Sequence, residues 1–152
     1  MDEKKVLERL QRQCVRSEQC TADVRRKALK ALEGDSEAAE RVLKALVKDR
    51  FVDDGRYSAA YAREKASLQG WGPVKIRFML RGKGISDSLI DAALGEIDRE
   101  KAEDKLQRLV SGRYRQLEGD PQWKLKLMKY ALGRGYAYED VAEAIARCQP
   151  RG

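Results

Sequence analysis

Residues 69–94 read QGWGPVKIRFMLRGKGISDSLIDAAL, and the fold is decided in this stretch. Pro73 suits the first turn of a helix, where a missing N–H removes no hydrogen bond. Ile76, Met79 and Leu80 recur at helical spacing and should face a core. Gly82 and Gly84 stop that helix, Ser86 can cap the next one, and Asp87 favours that next helix's positive end. Between Glu64 and Asp87 there is no acid, while Lys65, Lys75, Arg77, Arg81 and Lys83 all fall there. A short basic helix followed by a short acidic one is therefore the unit to seek in the rest of the chain.

On the N-terminal side, residues 2–16 predict an amphipathic helix with Val6, Leu7, Leu10 and Cys14 on one face. Thr21 is the expected N-cap of a second helix carrying Val24, Ala28, Leu29 and Leu32. Gly34 and Ser36 break and restart the chain, and Ala39, Val42, Leu43, Leu46 and Val47 form the buried stripe of a third helix. Asp53 and Asp54 can cap a fourth, which holds Tyr57, Tyr61 and Leu68.

On the C-terminal side, Leu89, Ile90, Ala93, Leu94 and Ile97 give the sixth helix its apolar face. A longer helix from about Arg99 carries Ala102, Leu106, Leu109, Val110 and Tyr114. Asp120-Pro121 is the expected opening of the next. That helix has Trp123, Leu127 and Tyr130 on one side and Leu125, Met128 and Leu132 round the other. Gly133 and Gly135 break it before a last helix over 138–148.

The pattern predicts nine helices in three sets of three. Gly82-Lys83-Gly84-Ile85 aligns with Gly133-Arg134-Gly135-Tyr136 fifty-one residues later, and Gly34-x-Ser36-Glu37 with Gly84-x-Ser86-Asp87 at fifty. The first unit lacks the Gly-basic-Gly sequence. The expected fold is all-α, with three-helix repeats at 1–53, 54–98 and 99–152. Each middle helix is basic and lies in an acid-free stretch. The sets are Arg25, Arg26, Lys27 and Lys30, then Lys75, Arg77, Arg81 and Lys83, then Lys124, Lys126, Lys129 and Arg134. Third helices lean acidic in two units, through Asp87, Asp91, Glu96 and Asp98 and through Glu139, Asp140 and Glu143. Two accounts stay open: charges paired between neighbouring helices, or positive patches spaced along the molecule.

Composition narrows the function. Thirty-two Lys and Arg against twenty-five Asp and Glu leave a net charge of +7 on 152 residues, which suits an anionic partner. No apolar run is long enough to span a membrane and no signal-peptide core follows Met1, so a cytoplasmic location is expected. Cys14, Cys20 and Cys148 are too few and scattered for a disulfide framework or a zinc site. The absence of histidine removes the usual general base and the commonest nitrogen ligand. Gly70-x-Gly72 and Gly82-x-Gly84 lack the Gly-Lys-Ser/Thr ending of a phosphate-binding loop. No enzyme activity, cofactor or metal is expected.

Three motifs in order carry a family resemblance. Phe51-Val-Asp-Asp-Gly-Arg56-Tyr57, Trp71-Gly-Pro-Val-Lys75-Ile-Arg77 and Lys83-Gly84-Ile85-Ser86 are similar to the central motif of the RecX family, the bacterial regulators of the RecA recombinase. CVRSEQCTADVRRKAL (residues 14–29) is similar to that family's N-terminal S-x-x-E-L-x-x-K-L pattern, and Gly133-Arg134-Gly135-Tyr136 resembles its closing R-G-F/Y. The resemblance implies an elongated, curved array of three tandem three-helix units. It also implies a monomer that binds in the groove of a RecA–DNA filament and lowers its ATPase and strand-exchange activity.

The expected contact residues are Lys75, Arg77, Arg81 and Lys83, then Lys124, Lys126, Lys129 and Arg134, with Arg63 and Lys65 extending the patch. Arg77 and Arg81, four apart, share a helix face, and could equally pair with Asp87 or Asp91. The competing function is a sequence-independent DNA-binding module acting without RecA. Its cations would hold phosphates, and Trp71, Tyr114, Trp123 or Tyr136 would stack on unpaired bases.

Overall fold

The computed structural model describes residues 2–148, and every regular element among them is a helix. In order these are α1 (Glu3–Arg16), α2 (Thr21–Ala31), α3 (Ser36–Lys48), α4 (Asp54–Ser67), α5 (Pro73–Gly82), α6 (Asp87–Gly95), α7 (Arg99–Gln116), α8 (Trp123–Gly133) and α9 (Tyr138–Cys148). Within each consecutive triplet every helix packs on the other two, whereas the main helix packing between triplets is α4 on α7. The chain exposes 10009 Å² of surface, against about 7,800 Å² expected for a compact monomer of this mass. The molecule is an elongated array of three units.

Each unit has its own core, supplied by the predicted stripes. Val6, Leu10, Val24, Val42 and Leu46 fill the first. Ile76, Leu80, Ile90 and Ala93 fill the second, and Leu106, Val110, Leu127, Val141 and Ile145 the third. Two residues of the first unit pack into the second unit's core: Cys20, just before α2, which is wholly buried, and half-buried Ala22. Several expected core residues lie at the surface, among them Leu29, Val47 and Met79, while Leu68 is 75% exposed. The short α5 rests on one face only, so Ile76 and Leu80 point inward and Met79, one position round from Leu80, does not. Leu68 is the C-cap of α4, where the helix has already ended.

Capping divides the helices by position. Asp2, Asp35, Asp53, Ser86 and Asp98 each accept the backbone N–H three residues on, closing the starts of α1, α3, α4, α6 and α7. The middle helices α2, α5 and α8 have Cys20, Gly72 and Gln122 at their N-caps, and none makes a side-chain cap bond. Thr21 is thus the first residue of α2, not its cap. Likewise α8 opens at Trp123 rather than at Pro121, because Asp120 Oδ1 takes the Gln122 N–H at 2.8 Å and holds residues 120–122 in a turn.

The open start of α5 is closed by the third unit. The Gly72 N–H donates to the Arg134 carbonyl at 2.8 Å and the Val74 N–H to the Gly135 carbonyl at 2.9 Å. Tyr136 Oη donates to the Gly70 carbonyl at 3.0 Å, and Arg134 Nη2 to the Gln69 carbonyl at 2.9 Å. Two backbones approach here without side chains between them. A Cβ on Gly72 would fall into the Gly135 carbonyl and lie 2.6 Å from the Tyr136 nitrogen. Gly135 has φ of +97°, in the left-handed region that favours glycine, and a Cβ on it would strike Lys75.

Gly72→Ala is expected to destabilise the protein by about 1–3 kcal/mol, as other overpacked sites do. Gly82→Ala, whose Cβ meets nothing within 4 Å, should be neutral or stabilising by about 0.4–1 kcal/mol. Urea unfolding of both variants checks this; equal midpoints would show that the backbone contact carries no stability.

Candidate partner-binding surface

The first and second units meet through side chains where the second and third meet through backbone. Asp54 Oδ1 accepts the Thr21 N–H at 2.7 Å and so caps α2 from the neighbouring unit, while adjacent Asp53 caps its own helix. Arg56 Nε lies 2.8 Å from both carboxylate oxygens of Glu18, and its Nη2 reaches the Arg50 and Phe51 carbonyls. Lys83 Nζ is 3.0 Å from both oxygens of Asp23. Burial alone would raise the Asp23 carboxyl, but hydrogen bonds from Lys83 and Cys20, with the Lys83 charge, hold it below the ordinary aspartate value. Burial pushes the Cys14 and Cys20 thiols up, which keeps them protonated at neutral pH.

Lys83 and Arg134, the basic residues of the two Gly-basic-Gly turns, therefore occupy equivalent places. Each follows a middle helix and reaches back to the preceding unit. The corresponding turn of the first unit carries Glu33 and Gly34, and its backbone is left-handed at both.

The other predicted contact residues fall into three groups. Arg77 pairs with Asp91 at 2.6 Å and Arg81 with Asp87 at 2.8 Å, each from α5 to α6. In the first unit Arg25 on α2 and Glu40 on α3 do the same at 2.6 Å. Lys65 and Lys75 converge on Trp71, their ammonium nitrogens 5.0 and 4.3 Å from its ring centroid. On α8, Lys126 bonds Asp120 at 2.6 Å, whereas Lys124 and Lys129 are exposed with no carboxylate partner among the described residues. The α5 start and the α8 end abut at the Gly72–Arg134 joint, which brings Lys75 against the Gly135 backbone. Arg63 stands apart, in a cleft between α4, α6 and α7.

Of the aromatic candidates, Tyr136 is buried with its hydroxyl bonded, and Tyr114 packs edge-to-face on Trp123 at 5.2 Å beside the third core. Sequence reading passed over two features. Val74 and Phe78, four apart on α5, are 56% and 74% exposed and form an apolar strip beside the basic residues. Lys101, Lys105 and Arg108 of α7 line the cleft together with Arg63, and their i, i+4, i+7 spacing is the signal that would have found them. No group of three or more His, Cys, Asp or Glu among the described residues could hold a metal, and no helix there is long and apolar enough to cross a membrane.

These features define a tandem three-helix-repeat protein, its units clamped at the middle helices and its basic α5 and α8 joined at the second boundary. The family model for the second three-helix domain of RecX matches residues 53–94. A protein of Clostridium acetobutylicum named regulatory protein RecX is 35% identical over 127 residues, covering 77% of this chain and 56% of the relative. Its namesake from Clostridium tetani is 31% identical over 115 residues, covering 73% and 52%. A crystal structure of regulatory protein RecX superposes with a TM-score of 0.83 at 27% identity, over 95% of this chain and 71% of that one. RecX from Lactobacillus salivarius, at 18% identity and a TM-score of 0.82 over 96% of both chains, shares the fold. The chain belongs to the RecX family. It spans about half the length of these two clostridial relatives.

The Asp23–Lys83 pair predicts a pH dependence. Because the folded carboxyl lies below its unfolded value, its stabilisation is complete above the unfolded value and is lost as pH falls through the folded one. Asp23→Asn should lower the melting temperature at neutral pH and shrink the gap from wild type under acid. Parallel melting curves from neutral pH down to acid would show that the pair contributes nothing.

Proposed function

We propose that this protein is an inhibitor of the RecA recombinase, binding in the groove of the RecA–DNA filament and lowering its ATPase and strand-exchange activity. It acts by contact rather than catalysis, as a cytoplasmic monomer without cofactor, through repeats divided at 53/54 and 98/99. The observation that supports the reading is the meeting of two basic helices, α5 and α8, at a joint held by four hydrogen bonds between units. A stiff array presenting cations from successive units can engage neighbouring filament protomers together, and the second contact then forms at high effective concentration.

The ten cations separate by role in this reading. Lys124 and Lys129 are ready for an acidic or phosphate partner as they stand. Arg77 and Arg81 sit in exposed pairs that contribute little, so a filament carboxylate or phosphate can replace Asp91 or Asp87. Lys65, Lys75 and Lys126 come next, each already holding a ring or a carboxylate. Lys83 and Arg134 serve the array first, since drawing them away would open a joint. Arg63 lies off this face. Sequence-independent DNA binding without RecA is the reading to beat, because the same cations suit phosphates.

Lys124→Glu with Lys129→Glu is expected to raise the half-inhibitory concentration against the cognate RecA's DNA-dependent ATPase by about tenfold, with melting unchanged. Arg77→Glu with Arg81→Glu should act in the same direction. Wild-type inhibition well below the level that coats the DNA supports action on the filament. Inhibition that appears only on coating, and vanishes with salt, would replace this reading with the DNA-binding one.

A further inference from the structure

The cleft between α4, α6 and α7 has a volume of about 1020 Å³ and borders the second joint, since Trp71, Pro73, Ile76 and Tyr136 also line it. Its two walls are helices of successive units. Arg63 stands on the α4 side, and Lys101, Lys105 and Arg108 form one stripe of α7. None of these four is paired with a carboxylate among the described residues, although ten ion pairs occur there, one of them between Glu103 and cleft-lining Arg99. The nearby acids are Glu96 and Asp98, and Asp98 is committed to capping α7 through the Lys101 N–H at 3.1 Å. Like charges in a concave, partly desolvated wall reinforce one another's potential and draw in an anion.

The floor says which kind of anion. Half-buried Ala66, Leu94, Ile97 and Ala102 line it, leaving apolar surface with no partner of its own. A phosphodiester backbone has nothing to place on such a floor. Bases lack a free stacking surface too, since the Trp71 ring already carries the Lys65 and Lys75 ammonium groups and Tyr136 is buried. We infer that this cleft is a docking groove for an acidic, aliphatic-bearing segment of a protein partner. Carboxylates of the segment pair with Arg63 and the α7 stripe, and its aliphatic side chains cover the floor between them. The inference does not rest on the recombinase reading, since Lys101, Lys105 and Arg108 take no part in the contact proposed there.

The test uses the full-length protein and three fluorescent synthetic peptides: an amphipathic Glu/Leu helix, a Glu/Ser peptide of equal charge, and a Lys/Leu helix. A fluorescent oligothymidylate is the fourth probe. The Glu/Leu peptide should bind, with the other two peptides weaker by about tenfold or more. Lys101→Glu with Arg108→Glu should reduce Glu/Leu binding by about tenfold, and Arg63→Glu, on the opposite wall, in the same direction. All three residues are exposed, so melting should not change. Equal binding of the Glu/Leu and Glu/Ser peptides would overturn the apolar component. Displacement of the Glu/Leu peptide by oligothymidylate, with both lost in the same variants, would make the cleft a nucleic-acid site. No binding by the Glu/Leu peptide, or binding untouched by either variant, would end the proposal.

Discussion

An α-helix that starts without a cap leaves backbone N–H groups unmatched, and in this array the middle helices start that way. For α2 and α5 the remedy comes from the next unit along the chain. Asp54 takes the Thr21 N–H of α2, and the Gly135 carbonyl takes the Val74 N–H of α5. A unit lifted out of the row would expose those donors to water and uncover Cys20 or Tyr136, each of which spans a boundary. Unit and array are therefore not separable in energy. The middle helices α2 and α5 are finished only when the following unit is in place.

That requirement sorts the positive charge. Lys83 and Arg134 sit in the turns that do the clamping, and one holds a carboxylate while the other holds a carbonyl of the preceding unit. Arg25 and Arg77 bind acids of the third helix within their own units. What remains on α8 and on the α4 and α7 walls of the cleft is positive charge that no internal partner claims. The account of charges paired between neighbouring helices holds for Arg25, Arg77 and Arg81. Arg25, Arg77, Arg81, Lys83 and Arg134 bond within the molecule, whereas Lys124 and Lys129 have no carboxylate partner among the described residues.

The helices and their grouping were legible because they rest on local signals: apolar residues at helical spacing, glycines after helix ends, and the recurrence of Gly-basic-Gly at fifty-one residues. The joints were not, because their partners are distant in the chain. Nothing near Thr21 announces that Asp54 will cap it, and Asp53 and Asp54 look alike until one turns to each side of the boundary. Met79 was misplaced because a helical period tolerates a neighbour of a core residue as readily as the core residue itself. The α7 stripe escaped because Glu103 and Asp104 lie between its cations, and a search for acid-free stretches passes over it. Spacing along one face, not local net charge, was the relevant measure.

The two joints solve the same problem with different chemistry, and this gives the array a direction. At the first, the contacts run through the carboxylates of Asp54, Glu18 and Asp23, so protons and salt act on it. At the second, main-chain carbonyls accept every one of the four hydrogen bonds and two glycines bring the backbones together, so neither protons nor moderate salt has an ionised acceptor to remove. Both the meeting of α5 with α8 and the α4–α7 cleft lie at the second joint. A surface that binds by holding several weak contacts in register needs its spacing fixed. In this chain the spacing is fixed where the unclaimed charge is found.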